Sequence, residues 1–155
     1  MITIELLKNH PNSIPRLVDI WHEGIAKTWL PDACINRVQQ QLHEHLNENS
    51  LPLTFVAFDG ITPIGMCSLR VNDGIRTDLS PWLGSLVVDL NYQKQGIGKM
   101  LIDATKNKAQ ELGFTQLYLF AFDPTIPDYY TSLDWVMIGM DEFKNHPVTI
   151  MSVEL

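Results

Sequence analysis

Ser85-Leu86-Val87-Val88-Asp89-Leu90-Asn91-Tyr92-Gln93-Lys94-Gln95-Gly96-Ile97-Gly98-Lys99 runs from an apolar segment through a polar turn into helical spacing. The whole apolar stretch, Trp82–Leu90, reads as a buried strand. Beyond the turn, Ile97, Met100, Leu101, Ala104 and Leu112 return to one side, which predicts a helix over 97–112 with Gly113 as its breaker. Glycines alternate at Gly96 and Gly98, letting the backbone approach a ligand closely. The free amides and dipole of a helix start favour an anion there, and Lys94 and Lys99 add positive charge. That combination suits a pyrophosphate. A plainer reading is a tight connection in which glycine only relieves crowding. Two phosphate motifs are excluded: Met100 follows Gly98-Lys99 where a Walker loop needs Ser or Thr, and Leu101 stands where a dinucleotide fingerprint needs its third glycine.

Outward from this turn, the pattern alternates between periods. Ile2, Ile4 and Leu6 predict a first strand; Ser13 then caps a helix with Ile14, Leu17, Val18, Trp21 and Ile25 on one face. Pro31 interrupts, and Asp32 starts a second helix presenting Ile35, Val38, Leu42 and Leu46 inward. Leu53–Phe58 and Ile64–Val71 flank Asp59-Gly60 as a hairpin, and Asn72–Pro81 reads as a polar connection. Thr115–Phe122 supplies a strand, Pro127–Leu133 a short helix, and Trp135–Met140 and Val148–Leu155 the closing strands. The order implies a mixed sheet covered by helices.

The 155 residues, 45% hydrophobic and 19% charged, fit one domain spanning residues 1–155. A formal charge of -7 and the lack of a basic stripe argue against a nucleic-acid partner. No apolar run is long enough for a signal peptide core or a membrane span, so a cytoplasmic location without a membrane partner is expected. Cys34 and Cys67 read as small buried side chains rather than a disulfide framework. His43 and His45 point to different sides of a helix and read as solvent-facing, not as metal ligands; no metal is expected.

The strand and turn of Ser85–Gly98 resemble the central motif of the GNAT family of N-acetyltransferases, Gln/Arg-x-x-Gly-x-Gly/Ala directly after a strand. The order of elements is similar over most of the chain. The resemblance implies an α/β (mixed α+β), acyl-CoA N-acyltransferase-like fold: a central mixed, mostly antiparallel sheet flanked by helices. It implies acetyl-CoA (coenzyme A) as cosubstrate, with its pyrophosphate on Gln93, Lys94, Gln95, Gly96, Ile97, Gly98 and Lys99. Its pantetheine arm would lie along Leu86, Val87 and Val88, in a strand that commonly carries a bulge. Tyr129-Tyr130-Thr131-Ser132-Leu133-Asp134-Trp135 is similar to the family's aromatic-Tyr-x-x-Leu-Gly-Phe segment, which makes Tyr130 the acid that protonates the departing thiolate. Asp134 replaces the usual glycine, Asp123 a frequent asparagine, and Trp135 the phenylalanine.

The activity so implied is acetyl transfer to a primary amine of a small molecule or peptide by direct attack. The alternative is a noncatalytic acyl-CoA-binding regulatory domain. Cys67 lacks the histidine partner of a nucleophile, so no covalent intermediate is expected. The general base stays open among Asp89, His22, Glu23 and the Asn72–Pro81 connection. Trp21 reads as a core residue; Tyr129 either packs into the core or lines the cofactor pocket, with packing favoured, and Trp29 and Trp82 either pack or wall the acceptor pocket. The letters choose neither the amine nor between monomer and homodimer.

Overall fold

A computed structural model describes residues 1–155. Alternation and β-branched residues build the strands β1 (Ile2–Leu6), β2 (Leu53–Asp59), β3 (Thr62–Arg70) and β4 (Trp82–Val88). These continue into β5 (Gln116–Ala121), β6 (Val136–Phe143) and β7 (His146–Glu154), forming a seven-stranded sheet in the order β1-β2-β3-β4-β5-β7-β6. The helices are α1 (Ile14–Trp21), α2 (Lys27–Trp29), α3 (Ile35–His43), α4 (Ile97–Glu111) and α5 (Ile126–Thr131), with a π-helical turn, His22–Ala26, joining α1 to α2. The mixed, mostly antiparallel sheet flanked by helices is as expected. No helix is long and apolar enough to cross a membrane.

Every neighbouring pair of strands is antiparallel except β4 and β5, which α4 joins as a parallel crossover. These two pair only at Trp82↔Tyr118, near their starts. Past that point no ladder joins them, and the sheet opens into a cleft between the ends of β4 and β5. On one face of the sheet, Leu101 and Ile102 of α4 pack with Cys67, Leu69 and Leu119. On the other, Leu17, Val18 and Trp21 of α1 meet Val56, Met66 and Val87. The two cores hold the strands from both sides while the cleft remains open at the seam.

Several local expectations change. Ser13 precedes α1 but makes no side-chain cap, because it already lies in a helical turn. The second helix begins at Ile35 after extended Cys34, not at Asp32. It ends at His43, so His45 falls beyond the helical register and swings inward, buried, onto the Thr54 hydroxyl at 2.8 Å. Thr54 in turn pairs with Ser68 at 2.7 Å. Burial, reinforced by Arg70, pushes the His45 imidazole down to about 3. Cys34 is exposed, not buried. The last two strands extend to Phe143 and His146 because Lys144 and Asn145, at φ +48° and +69°, make a two-residue hairpin turn that their letters do not advertise.

Candidate active site

The bulge in β4 falls at Ser85. Met66 pairs with Val87 while Ser68 pairs with Gly84, so β4 carries one extra residue opposite Cys67, and Ser85 takes φ +49°. The insertion inverts side-chain parity along the strand. Leu83 before it, and Leu86 and Val88 after it, all face the α4 side; Val87 packs against α1. Leu86 and Val88 therefore line the cleft, whereas Val87 offers it mainly backbone. Arg70 pins the bulge: one guanidinium nitrogen donates to Ser85 Oγ at 2.7 Å and the other to Asp73 Oδ1 at 2.7 Å. Neither Arg70 nor Asp73 stood out in the sequence, since neither belongs to a spaced motif.

At the strand's end, Asp89 caps the following turn through Asn91 N at 2.9 Å and accepts from Arg16. It is buried and committed, which removes it as a base. Lys94 and Gly96 then adopt φ +62° and +79°, and left-handed Gly96 is the N-cap of α4. The first helical bond there is Met100 N to Gly96 O at 3.1 Å. None of the backbone N–H groups from Gln93 through Lys99 donates a hydrogen bond within the protein. Successive unpaired amides at a helix start form a concave donor set suited to phosphate oxygens.

The structure brings Gln93, Lys94, Gly96, Ile97 and Gly98 to the wall of an open cleft of about 1840 Å³; Gln95 and Lys99 lie outside that wall. The Ile97 side chain is in the core, so its amide is what it presents. The Gln93 side chain donates to Val88 O at 3.3 Å, tying the turn to β4. Lys99 is paired with Asp103 at 2.8 Å, which leaves Lys94 as the free cation of the turn.

Tyr130 sits on α5 against Trp135, with ring centroids 5.7 Å apart, and faces the same cleft. Burial, with smaller contributions from Cys67 and Tyr129, pushes its phenol well above the ordinary range, so it holds its proton. Asp123 starts α5 by accepting from both Thr125 N and Thr125 Oγ1. Tyr129 is exposed along the cleft, not a core residue. Cys67 is fully buried and its thiol is pushed up to about 12, so no thiolate is available there.

On the α1–α3 side, Trp29 stacks on Phe122 at 5.6 Å and meets His146 edge-on, forming an aromatic wall. Trp82 is instead core, with its indole nitrogen donating to Leu79 O at 2.8 Å. Among the possible bases, His22 and Glu23 stand outside the cleft; Asn72, Asp73 and Gly74 of the β3–β4 connection line it.

A sheet splayed at one seam, a pinned bulge on one lip and unpaired helix-start amides beside it define the acyl-CoA N-acyltransferase class of fold. Residues 17–129 match the model of the acetyltransferase (GNAT) family, and the chain belongs to that family. Its structure superposes on an aminoglycoside 6'-N-acetyltransferase solved with coenzyme A at a TM-score of 0.77 and 18% identity, covering 99% of this chain and 96% of that one. It also superposes on the ribosomal-protein-S18-alanine N-acetyltransferase of Escherichia coli at 0.74 and 18%, covering 99% and 94%. A streptothricin acetyltransferase from Bacillus anthracis, solved with acetyl coenzyme A, gives 0.63 and 18% over 74% and 68%. No curated protein matches the sequence.

Proposed function

We propose that this protein transfers the acetyl group of acetyl-CoA to a primary amine of a small molecule or peptide by direct attack. The observation that carries the proposal is the unbroken run of unpaired amides from Gln93 to Lys99, opening onto the cleft beside β4. Those amides and the Lys94 charge hold the pyrophosphate; the β4 backbone at Leu86–Val88 orients the pantetheine arm. The thioester then lies near the Ser85 bulge, within reach of an amine entering past Trp29 and Phe122. Tyr130, kept protonated by burial, donates its proton to the departing sulfur. The two acceptors named among the similar structures, an aminoglycoside and an alanine of ribosomal protein S18, share this chemistry and do not select between acceptor sizes.

The test is an acetyl-CoA assay across polyamines, aminoglycosides and peptide N-termini, with thiol release and product mass both measured. An acetylated product at +42 mass units supports the reading. Coenzyme A binding with no turnover on any amine favours the regulatory alternative instead.

A further inference from the structure

The base left open by the sequence has a structural candidate in the β3–β4 connection. Asp73 is largely buried, its side chain only 12% exposed. Its Oδ1 accepts from Arg70, while Oδ2 accepts no hydrogen bond. The carboxylate lies directly over the backbone that enters the bulge: a methyl built on Gly84 would stand 3.1 and 3.2 Å from the two Asp73 oxygens. The same methyl would stand 2.7 Å from the Arg70 guanidinium, so glycine at position 84 leaves room for the Arg70–Asp73 pair. Arg70 meanwhile bonds Ser85, so one guanidinium holds both the bulge and the carboxylate. Asp73 reaches this place on the α1–α3 side of the sheet, the side that carries the aromatic wall, and it lines the cleft.

We infer that Asp73 binds the acceptor's ammonium through Oδ2 and takes its proton, making it the catalytic base of the acetyl transfer proposed above. A proton passes from R–NH₃⁺ to the Asp73 carboxylate. The neutral nitrogen then forms the C–N bond to the acetyl carbon as the C–S bond breaks. Nitrogen gives up its second proton to solvent as Tyr130 donates one to sulfur and is reprotonated from solvent; the proton on Asp73 is then released to solvent as the one net proton of the reaction. Burial raises the carboxyl and Arg70 opposes that rise, leaving the carboxylate more basic than a free aspartate. Arg70 faces Asp73 from β3, and β4 presents only Gly84 and Ser85. Lys144 and His146 of the β6–β7 hairpin, and Arg37, Glu44 and His45 at α3, line the same cleft.

The inference rests on the proposed activity, and its test keeps the two apart. With the best acceptor from the amine panel, kcat/KM is measured from acid to alkaline pH for wild type, Asp73→Asn and Arg70→Gln. Coenzyme A affinity and thermal melting are followed in parallel. Asp73→Asn keeps the acceptor atom for Arg70, so it should fold and bind coenzyme A as wild type does. Its kcat/KM should fall on the order of 100-fold, the scale of a lost general base. Arg70→Gln removes the opposing charge, so the acid limb of the profile should move to higher pH whatever its effect on the bulge. Wild type inactive on every amine overturns the proposed function itself. An active wild type with unchanged Asp73→Asn kinetics, or an acid limb that stays put in Arg70→Gln, overturns the role of Asp73.

Discussion

Gly98→Ala and Gly98→Leu together separate the ligand site from the stability of the fold. Gly98 is the second residue of α4, and a methyl built there meets nothing within 4 Å. Unlike Gly96, it has no positive φ, so alanine introduces no strain. Inside a helix alanine is favoured over glycine by roughly 0.5–1 kcal/mol through backbone entropy. Near a helix start the lower end applies, and about 0.5 kcal/mol raises the melting temperature of a chain this size by about 1–2 °C. For the ligand, that same open space is where phosphate oxygens approach the amides of Ile97, Gly98 and Lys99. The motif that Gly98 belongs to admits alanine at this place, so Gly98→Ala should leave coenzyme A affinity within about 3-fold. Gly98→Leu instead fills the space; losing one charge-assisted hydrogen bond there, about 1.5–3 kcal/mol, weakens binding roughly 10- to 150-fold. Titration calorimetry with coenzyme A and a ligand-free melt on the same preparations give both numbers. A folded Gly98→Leu with unchanged affinity would place the pyrophosphate elsewhere and refute the cradle. Gly96→Ala is the contrasting control: at φ +79° it should lower the melt, by about 1–2 kcal/mol of left-handed strain.

Tyr130→Phe should lower kcat on the order of 100-fold while leaving coenzyme A affinity within about 3-fold, since a general acid acts in the transition state; equal losses in both, by matched kinetics and calorimetry, would assign the hydroxyl to binding. His45 should make the fold acid-sensitive. Its folded pKa of about 3 lies below the ordinary 6.5, so the unfolded chain takes up the extra proton and stability falls as pH drops through that window. Between pH 7 and pH 5 this amounts to about 2 kcal/mol, and His45→Gln should lose that dependence in urea unfolding; parallel curves for the two proteins would contradict it. Asp134 sits at φ +73°, where its relatives' glycine is free of strain. Asp134→Gly should therefore raise stability by about 0.5–1 kcal/mol, read as a higher melting temperature, and a lower one would show that the aspartate side chain is needed.

The turn at Gln93–Gly98 was legible because its requirement is local. A strand end, a left-handed glycine and a helix start leave the same amides unpaired wherever they occur in sequence. The core face of α1 was legible for a similar reason, since periodicity encodes which side is buried. On α4 only Ile97 and Leu101 of the expected face are buried, Met100 is exposed, and Ile102 and Ala109 complete the face. The mismatches fall where a side chain's neighbours are distant in the chain. His45 looked solvent-facing on a continued helix, but α3 stops short and Thr54 receives it. Tyr129 looked like core beside Tyr130, yet only Tyr130 turns inward on α5.

The sequence by itself determined the proposed donor side: a glycine turn between a buried strand and a helix, with a tyrosine segment downstream in matching order. Such features are set by residues within a few positions of one another. The tertiary structure alone built the proposed acceptor side. The bulge at Ser85 exists only relative to the register of β3, and Arg70, Asp73, Trp29 and Phe122 meet only once the sheet has opened between β4 and β5. Their letters carry no shared spacing because the contacts that join them are made across the fold, by packing on both faces of the sheet.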